Sequence, residues 1–277
     1  MVEITDEEFR QLADYIHKYC GINLKGEKKA LVNGRLQNIL YRYNMQSFTE
    51  YFTYLTQNSS ESEITEMIDK LTTNHTFFMR EAEHFRFYER DVLPKLKKTV
   101  ADRDMRIWCA ACSTGEEAYT LAIINNEFLG GEKFWWDTKV LATDISVSAL
   151  ETAKRGVYTK EDVEPLPDRW KMEYFNRKEA QQWEVKDSLK KEVIFRRFNL
   201  MEEVYPFKKK FHVIFCRNVM IYFDQADKNR LIQRLQSNLA EGGYLFIGHS
   251  EAINKEDTGL QYVIPSVYRK TKQGIYG

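Results

Sequence analysis

A short apolar run that turns into small residues is the first feature of this chain able to do chemistry. Ile107-Trp108-Cys109 leads into Ala110-Ala111-Cys112-Ser113-Thr114-Gly115 and then Glu116-Glu117. A strand passing through small side chains into a helix lets backbone approach a ligand and presents unpaired N–H groups. One glycine and no Walker lysine leave phosphate cradling without support, and two acidic residues suit a neutral or cationic ligand better. An ordinary tight turn would read the same way. Asp144 follows a second run, Leu141-Ala142-Thr143, where a carboxylate can accept hydrogen bonds from ribose hydroxyls or cap the next helix, a role Ser146 could also fill. Arg217, Asn218 and Tyr222 follow the run that ends at Cys216 and would point into the same crevice. A linker rich in hydroxyls and aromatics, Leu71 to Glu81, could deliver one cation, Arg80, to that crevice. Cys109-x-x-Cys112 has no second such pair, and the five histidines are scattered without metal spacing, so both cysteines read as small hydrophobes and no metal is expected.

The elements that must position these groups fall into two textures. Up to about residue 72 the pattern is helical. Phe9, Leu12, Ala13, Ile16 and Tyr19 or Cys20 recur at helical spacing behind a Thr5-x-x-Glu8 capping box. Further helices are expected from about Lys25 to Asn44, Ser47 to Thr56 and Ser60 to Leu71. From about residue 104, strands (Met105–Cys109, Lys139–Thr143, Val193–Phe198, His212–Cys216, Tyr244–Gly248 and Tyr262–Arg269) alternate with helices at Ser113–Leu129, Ser146–Arg155 and Gln225–Leu239. That alternation predicts an α/β domain with a mostly parallel sheet. Residues 1–72 are expected as an all-helical domain, 73–98 as a linker with a helix over Glu81–Lys97, and 99–277 as the α/β domain. A small antiparallel β-subdomain is expected within it at about 165–195.

Composition excludes other classes. The 277 residues hold 41 Lys plus Arg and 41 Asp plus Glu, a zero net charge that suits no general polyanion binder, so no nucleic acid is expected. The longest apolar runs are far short of the roughly 20 residues needed to span a bilayer. The acidic N-terminus lacks the features of a signal peptide, and four cysteines make no disulfide framework. A cytoplasmic protein without membrane insertion is expected.

Six segments in order resemble the motif series of the chemotaxis receptor methyltransferases (CheR): Thr72–Glu81, Cys112–Glu117, Ala142–Ile145, Phe198–Leu200, Phe215–Phe223 and Gly248–Glu251. The match spans about residues 5 to 270. The resemblance implies S-adenosylmethionine (SAM) as cofactor, S-adenosylhomocysteine as product, and methyl esterification of glutamates on chemoreceptors. It implies a helical domain joined to a SAM-dependent Rossmann-like domain. It further implies that Asn74, Thr76 and Arg80 contact the methionyl end of SAM, and that Glu117 and Asp144 bind on the loop and ribose side. Asn199 and Leu200 would flank the adenine, Arg217 and Asn218 would close the pocket, and Arg80 and Tyr222 would lie nearest the transferring methyl. Ala118 stands where many relatives have proline, without expected effect.

A glutamate carboxylate, with an ordinary pKa of about 4.3, is ionised at neutral pH and needs no general base. Arg80 and Tyr222 are therefore assigned to orienting the acceptor rather than to accepting protons. Residues 18 to 45 hold six cations against one acid. Lys28, Arg35 and Arg42, seven apart, line one helix face; with Lys25 and Lys29 they are expected to dock the acidic helical bundle of a receptor, although a solvated basic face would look the same. Some relatives use a glycine-rich loop in the β-subdomain to capture a receptor pentapeptide. No glycine lies between Asn176 and Glu192, so independence of that tether is expected, as is a monomer. The tail 273–277 suggests no role.

Overall fold

Thr5 starts the first helix as the sequence requires: its hydroxyl accepts from the Glu8 N–H, and the Glu8 carboxylate accepts from the Thr5 N–H. In the computed structural model, which describes residues 2–57, 61–72, 74–253 and 259–271, this helix is α1 (Asp6–Cys20). It ends at Gly21, whose left-handed φ of 74° lets its N–H return to the His17 carbonyl. Phe9, Leu12, Ile16 and Cys20 form its buried stripe. They pack with α2 (Lys29–Arg42), α3 (Phe48–Gln57) and α4 (Glu61–Leu71) around Val32, Leu36, Tyr51, Leu55 and Met67. The helix expected from Lys25 opens instead with a 3-10 turn, Gly26–Lys28, and α2 begins only at Lys29. Ser60, the expected start of α4, the linker residue Thr73 and the tail 273–277 lie outside the described residues.

The linker helix is not continuous. It consists of α5 (Ala82–Phe87), a π turn over Tyr88–Val92, and α6 (Leu93–Thr99). Pro94 is the cause: without an N–H it cannot bond to the carbonyl four residues back, and the preceding turn widens so that the Leu93 N–H reaches the Tyr88 carbonyl.

The α/β domain is built on a seven-stranded sheet. Its strands are β1 (Ile107–Cys109), β2 (Val140–Asp144), β6 (Val193–Arg197), β7 (Phe211–Phe215), β8 (Leu239–Phe246), β9 (Leu260–Ile264) and β10 (Val267–Lys270), in the order β6-β2-β1-β7-β8-β10-β9. The first five are parallel. Ile107 sits between Val140 and Val213, so β1 is the strand from which the order runs both ways, and a crevice opens at its carboxyl end. The crossover helices α7 (Glu116–Leu129), α8 (Val147–Arg155) and α12 (Gln225–Asn238) cover the faces. Two expectations need correction. The final strand is a hairpin, since Ser266 takes a φ of 61° after Pro265 and reverses the chain between β9 and β10. Gly242-Gly243 does not precede β8 but lies inside it, at an irregularity where an added Cβ on Gly243 would press the Ala240 and His212 carbonyls at 2.8 and 2.9 Å.

The antiparallel excursion is a three-stranded sheet of β3 (Val157–Tyr158), β4 (Phe175–Arg177) and β5 (Trp183–Val185), with short helices α9 (Lys160–Val163), α10 (Asp168–Tyr174) and α11 (Asp187–Lys190) around it. It begins earlier than the expected residue 165, and Val193 already belongs to the main sheet.

Among the described residues the two domains share a dense seam. His17 Nε2 lies 2.8 Å from Asp227 Oδ2 and 3.2 Å from Asp224 Oδ2, at the start of α12. The Asn23 N–H donates to the Tyr222 carbonyl at 2.8 Å, and Asn199 Nδ2 to the Tyr19 carbonyl at 2.6 Å.

Candidate functional site

One cavity occupies the crevice, and every residue expected at the site lines it. Ala110, Ala111 and Ser113 come from the β1–α7 loop, Glu117 from the first turn of α7, Asp144 from the end of β2, and Asn199 and Leu200 from the loop after β6. Arg217, Asn218 and Tyr222 come from the loop after β7, and Asn74, Thr76 and Arg80 from the linker. The helical domain supplies a further wall, including Asn23, Lys28 and Leu31. Sequence reasoning missed that wall, because nothing in residues 20–31 signals a ligand until the seam is formed.

The β1–α7 turn rests on Gly115, at φ 99°, where a Cβ would come within 2.8 Å of the Ala153 Cβ on α8. Only glycine permits that approach. The two acids that follow part company. Glu116 is buried away from the cavity and accepts from the Thr114 hydroxyl, and burial, opposed by that hydrogen bond, pushes its carboxyl up to about 7. Glu117 faces the cavity side, where its Oε2 meets Arg217 Nη1 at 2.6 Å.

Asp144 accepts the Ser113 N–H at 2.7 Å on one oxygen and the Ser146 N–H at 2.9 Å on the other. It braces the β1–α7 loop and the start of α8, while the capping role falls to Ser146, whose side chain accepts from the Ala149 N–H. Burial raises the Asp144 pKa, against the pull of the Ser146, Ser113 and Ile145 N–H groups. The Ser113 N–H, bound to Asp144, is not free for a phosphate.

Arg217 is less a lid than a buried hub. Its side chain is 1% exposed, pairs with Glu81 at 2.8 Å and Glu117 at 2.6 Å, and donates to the Arg80 carbonyl at 2.6 Å. It thereby holds down a linker turn in which Met79 and Glu81 both take positive φ, 61° and 57°. Asn218, itself at φ 57°, donates from its side chain to Glu81 and from its N–H to Glu251. Glu251 also accepts from the Gly248 and Met220 N–H groups, so the Gly248–Glu251 segment fixes the β7 loop from behind. Glu81 and Glu251 lay within recognised segments, yet their roles need the third dimension. Asn74 and Ser113 tie the linker to the loop, the Ser113 hydroxyl donating to the Asn74 carbonyl at 2.9 Å. Arg80 stays at the mouth, its guanidinium donating to the His75 carbonyl at 2.9 Å. All four cysteines are buried and free, and the Cys109 thiol donates to Glu117. Burial pushes the Cys20 thiol up to about 12 and raises the other three well above the ordinary thiol value.

A crevice at the sheet's switch point, a carboxylate after the second strand and an antiparallel strand beside β8 define the class: a SAM-dependent methyltransferase. Small residues lining the cavity and the Asp144 carboxylate at the end of β2 fit the nucleoside of that cofactor. Residues 74–268 match the model of the CheR methyltransferase SAM-binding domain, and residues 7–72 that of the CheR all-alpha domain. The chain belongs to the CheR methyltransferase family. It is similar to the chemotaxis protein methyltransferase of Borreliella burgdorferi, 41% identical over 272 residues that cover 97% of this chain and 96% of that protein. It is also similar to chemotaxis protein methyltransferase 2 of Pseudomonas aeruginosa (38% identical; 89% and 87% covered) and to the Escherichia coli protein (36% identical; 90% and 85%). Among the described residues no helix is long and apolar enough to cross a membrane.

Asp144→Ala is expected to weaken SAM by ten-fold or more, since hydrogen bonds to a charged group contribute about 1.5–3 kcal/mol each. Calorimetric titration reads this directly, and unchanged affinity would remove Asp144 from the ribose side.

Proposed function

We propose that this chain transfers the methyl group of SAM to glutamate side-chain carboxylates of chemoreceptors, forming glutamyl methyl esters. The supporting observation is the state of the cavity's own carboxylates. Asp144 already accepts from the Ser113, Ser146 and Ile145 N–H groups and Glu117 is paired with Arg217, so neither stands ready as a proton acceptor. An acceptor glutamate arrives ionised and asks for none. Bound SAM supplies a methyl group on a sulfonium sulfur. The protein's part is to hold, align and desolvate two charged reactants, with Asn74, Thr76, Glu117, Asp144, Asn199, Leu200, Arg217 and Asn218 on the cofactor. Arg80 orients the acceptor carboxylate and Tyr222 hydrogen-bonds at the transfer centre.

The basic stripe is more finely divided than its spacing suggested. Lys29 pairs with Asp6 at 2.6 Å and Arg42 with Glu66 at 2.7 Å. Arg35 donates to the Lys70, Leu71 and Thr72 carbonyls, capping the end of α4. Among the described residues Lys25 and Lys28 make no ion pair, and both are exposed beside the cavity wall. These two lead the docking of an acidic receptor bundle, with Arg35 and Arg42 adding to the field. Reversing both to Glu is expected to cost about 1–2 kcal/mol of docking, a 5- to 30-fold rise in receptor KM that shrinks with added salt. An unaltered KM would leave the stripe as surface.

The β4–β5 connection turns through Gln181 at φ 60° without glycine, in keeping with a chain that works without a receptor pentapeptide tether. The reading also places the chain in the cytoplasm, as a monomer. Incubation with methyl-labelled SAM and a receptor cytoplasmic fragment lacking its C-terminal tail tests the whole. Label released as methanol by alkali is expected, because esters hydrolyse where N-methyl groups do not. Base-stable label, or none with a competent receptor, would overturn it.

A further inference from the structure

Behind the cavity, Glu81, His84 and His249 gather their donor atoms within 4.8 Å of one another. Glu81 and His84 are three apart at the start of α5, a spacing that brings both side chains to one face. His249 reaches them from the loop after β8. Glu81 Oε2 lies 3.4 Å from His84 Nδ1 and 3.9 Å from His249 Nε2. Tetrahedral bonds of about 2.0–2.2 Å place neighbouring ligand atoms roughly 3.4 Å apart. The Glu81–His84 edge therefore already has that length, and a rotation of His249, whose side chain is 45% exposed, closes the other.

His84 has no ordinary structural explanation. It is 1% exposed, and among the described residues neither ring nitrogen makes a hydrogen bond of normal geometry; only the Pro265 carbonyl offers the ring a weak one. A buried polar group left so incurs an uncompensated desolvation cost. Burial first, then the Arg217 charge, holds its pKa down at about 4. It is thus neutral at pH 7, with a lone pair to give. The surrounding charge favours a cation: Glu81, Glu117 and Glu251 share one hydrogen-bonded network with a single guanidinium, Arg217. The half-exposed His249 provides the way in from solvent.

We infer that Glu81, His84 and His249 form a binding site for a first-row divalent transition metal, with Zn2+ the best fit to two imidazoles and one carboxylate. Glu81 Oε2 also holds Arg217 Nη2 at 2.8 Å. The metal therefore competes with Arg217 for Glu81 and loosens the clamp on the Arg80 carbonyl, which makes occupancy inhibitory to SAM binding.

The full chain is titrated with Zn2+ against a chromogenic chelator, without any acceptor, so the result is independent of which substrate is methylated. One site is expected. His249→Ala, at an exposed position that does not endanger folding, should weaken it by at least about 10–100-fold, the loss that removal of even a ligand's supporting partner brings. His17→Ala, in the other histidine–carboxylate group at the domain seam, should leave it unchanged. Cobalt substitution should give visible absorption that His249→Ala abolishes. SAM affinity should fall when Zn2+ is added to the wild type and not when it is added to His249→Ala. Absence of Zn2+ binding, equal binding by His249→Ala, or SAM affinity indifferent to Zn2+ would overturn the assignment.

Discussion

Arg217→Ala is expected to lose about 3–5 kcal/mol of stability, the cost of removing one partner of a buried ion pair. The size follows from what remains behind. Glu81 and Glu117 would keep their charges beside an apolar void, the Arg80 carbonyl would lose its donor, and the Phe85 ring would lose the guanidinium stacked 5.3 Å from its centre. Since a domain's whole margin is about 5–15 kcal/mol, such a loss shows plainly in urea unfolding. A loss below ~1 kcal/mol would mean the carboxylates find water. The pH dependence is a second mark. Burial works to raise the Glu81 pKa, but the hydrogen bond and charge of Arg217, with the Asn218 amide and His249 N–H, hold it down to about 2. A carboxyl depressed in the folded state stabilises fully above its unfolded value, about 4.3, and loses that contribution as pH falls toward 2. The wild type should weaken steeply through that window and Arg217→Ala much less.

Arg80→Ala is expected to have the opposite character: an intact fold and a turnover lower by about 10²–10³, the usual consequence of deleting one oriented group at a transfer centre. Its side chain is partly exposed and makes one hydrogen bond, to the His75 carbonyl within the same linker. Stability should therefore change by no more than about 0.5 kcal/mol. The linker's shape does not depend on that guanidinium; it depends on Arg217 holding the Arg80 carbonyl. Single-turnover rates with saturating SAM and receptor separate orientation from binding, and a near-normal rate would remove Arg80 from the transfer step.

Much of this was legible in the chain. The capping box of α1, the Ser146 cap of α8 and the strand–small-residue–helix pattern after Cys109 are local signals, and local signals survive into the structure. Arg80, Asp144, Arg217, Asn218 and Tyr222 were legible from their places at strand ends or in the linker, while Asn74, Thr76, Glu117, Asn199 and Leu200 came only through the family resemblance; the topology brings all of them to one crevice. What the sequence did not reveal depends on contacts between distant residues. The linker read as one helix over Glu81–Lys97, but at Pro94 a five-residue π turn divides it. Tyr262 to Arg269 read as one strand, although the Pro265-Ser266 turn folds it on itself. Seven-residue spacing made Arg35 and Arg42 look like free surface charge, yet α4 supplies a carbonyl terminus for one and Glu66 for the other. Glu81 and Glu251 have no intrinsic mark that distinguishes them from solvated glutamates; only Arg217 and the β7 loop give them work.

The four sheltered thiols make the folded chain its own stopwatch. Cys20 lies in the helical domain's core, 4% exposed, and Cys109, Cys112 and Cys216 lie in the α/β core at 0 to 1%. None can meet an alkylating reagent as thiolate until its surroundings open. The modification rate at Cys20 therefore times the opening of the helical domain, and the rates at the other three time the opening of the sheet. Peptide mapping of one quenched reaction gives both clocks at once, and the difference between them measures how independently the two domains breathe across the seam they share.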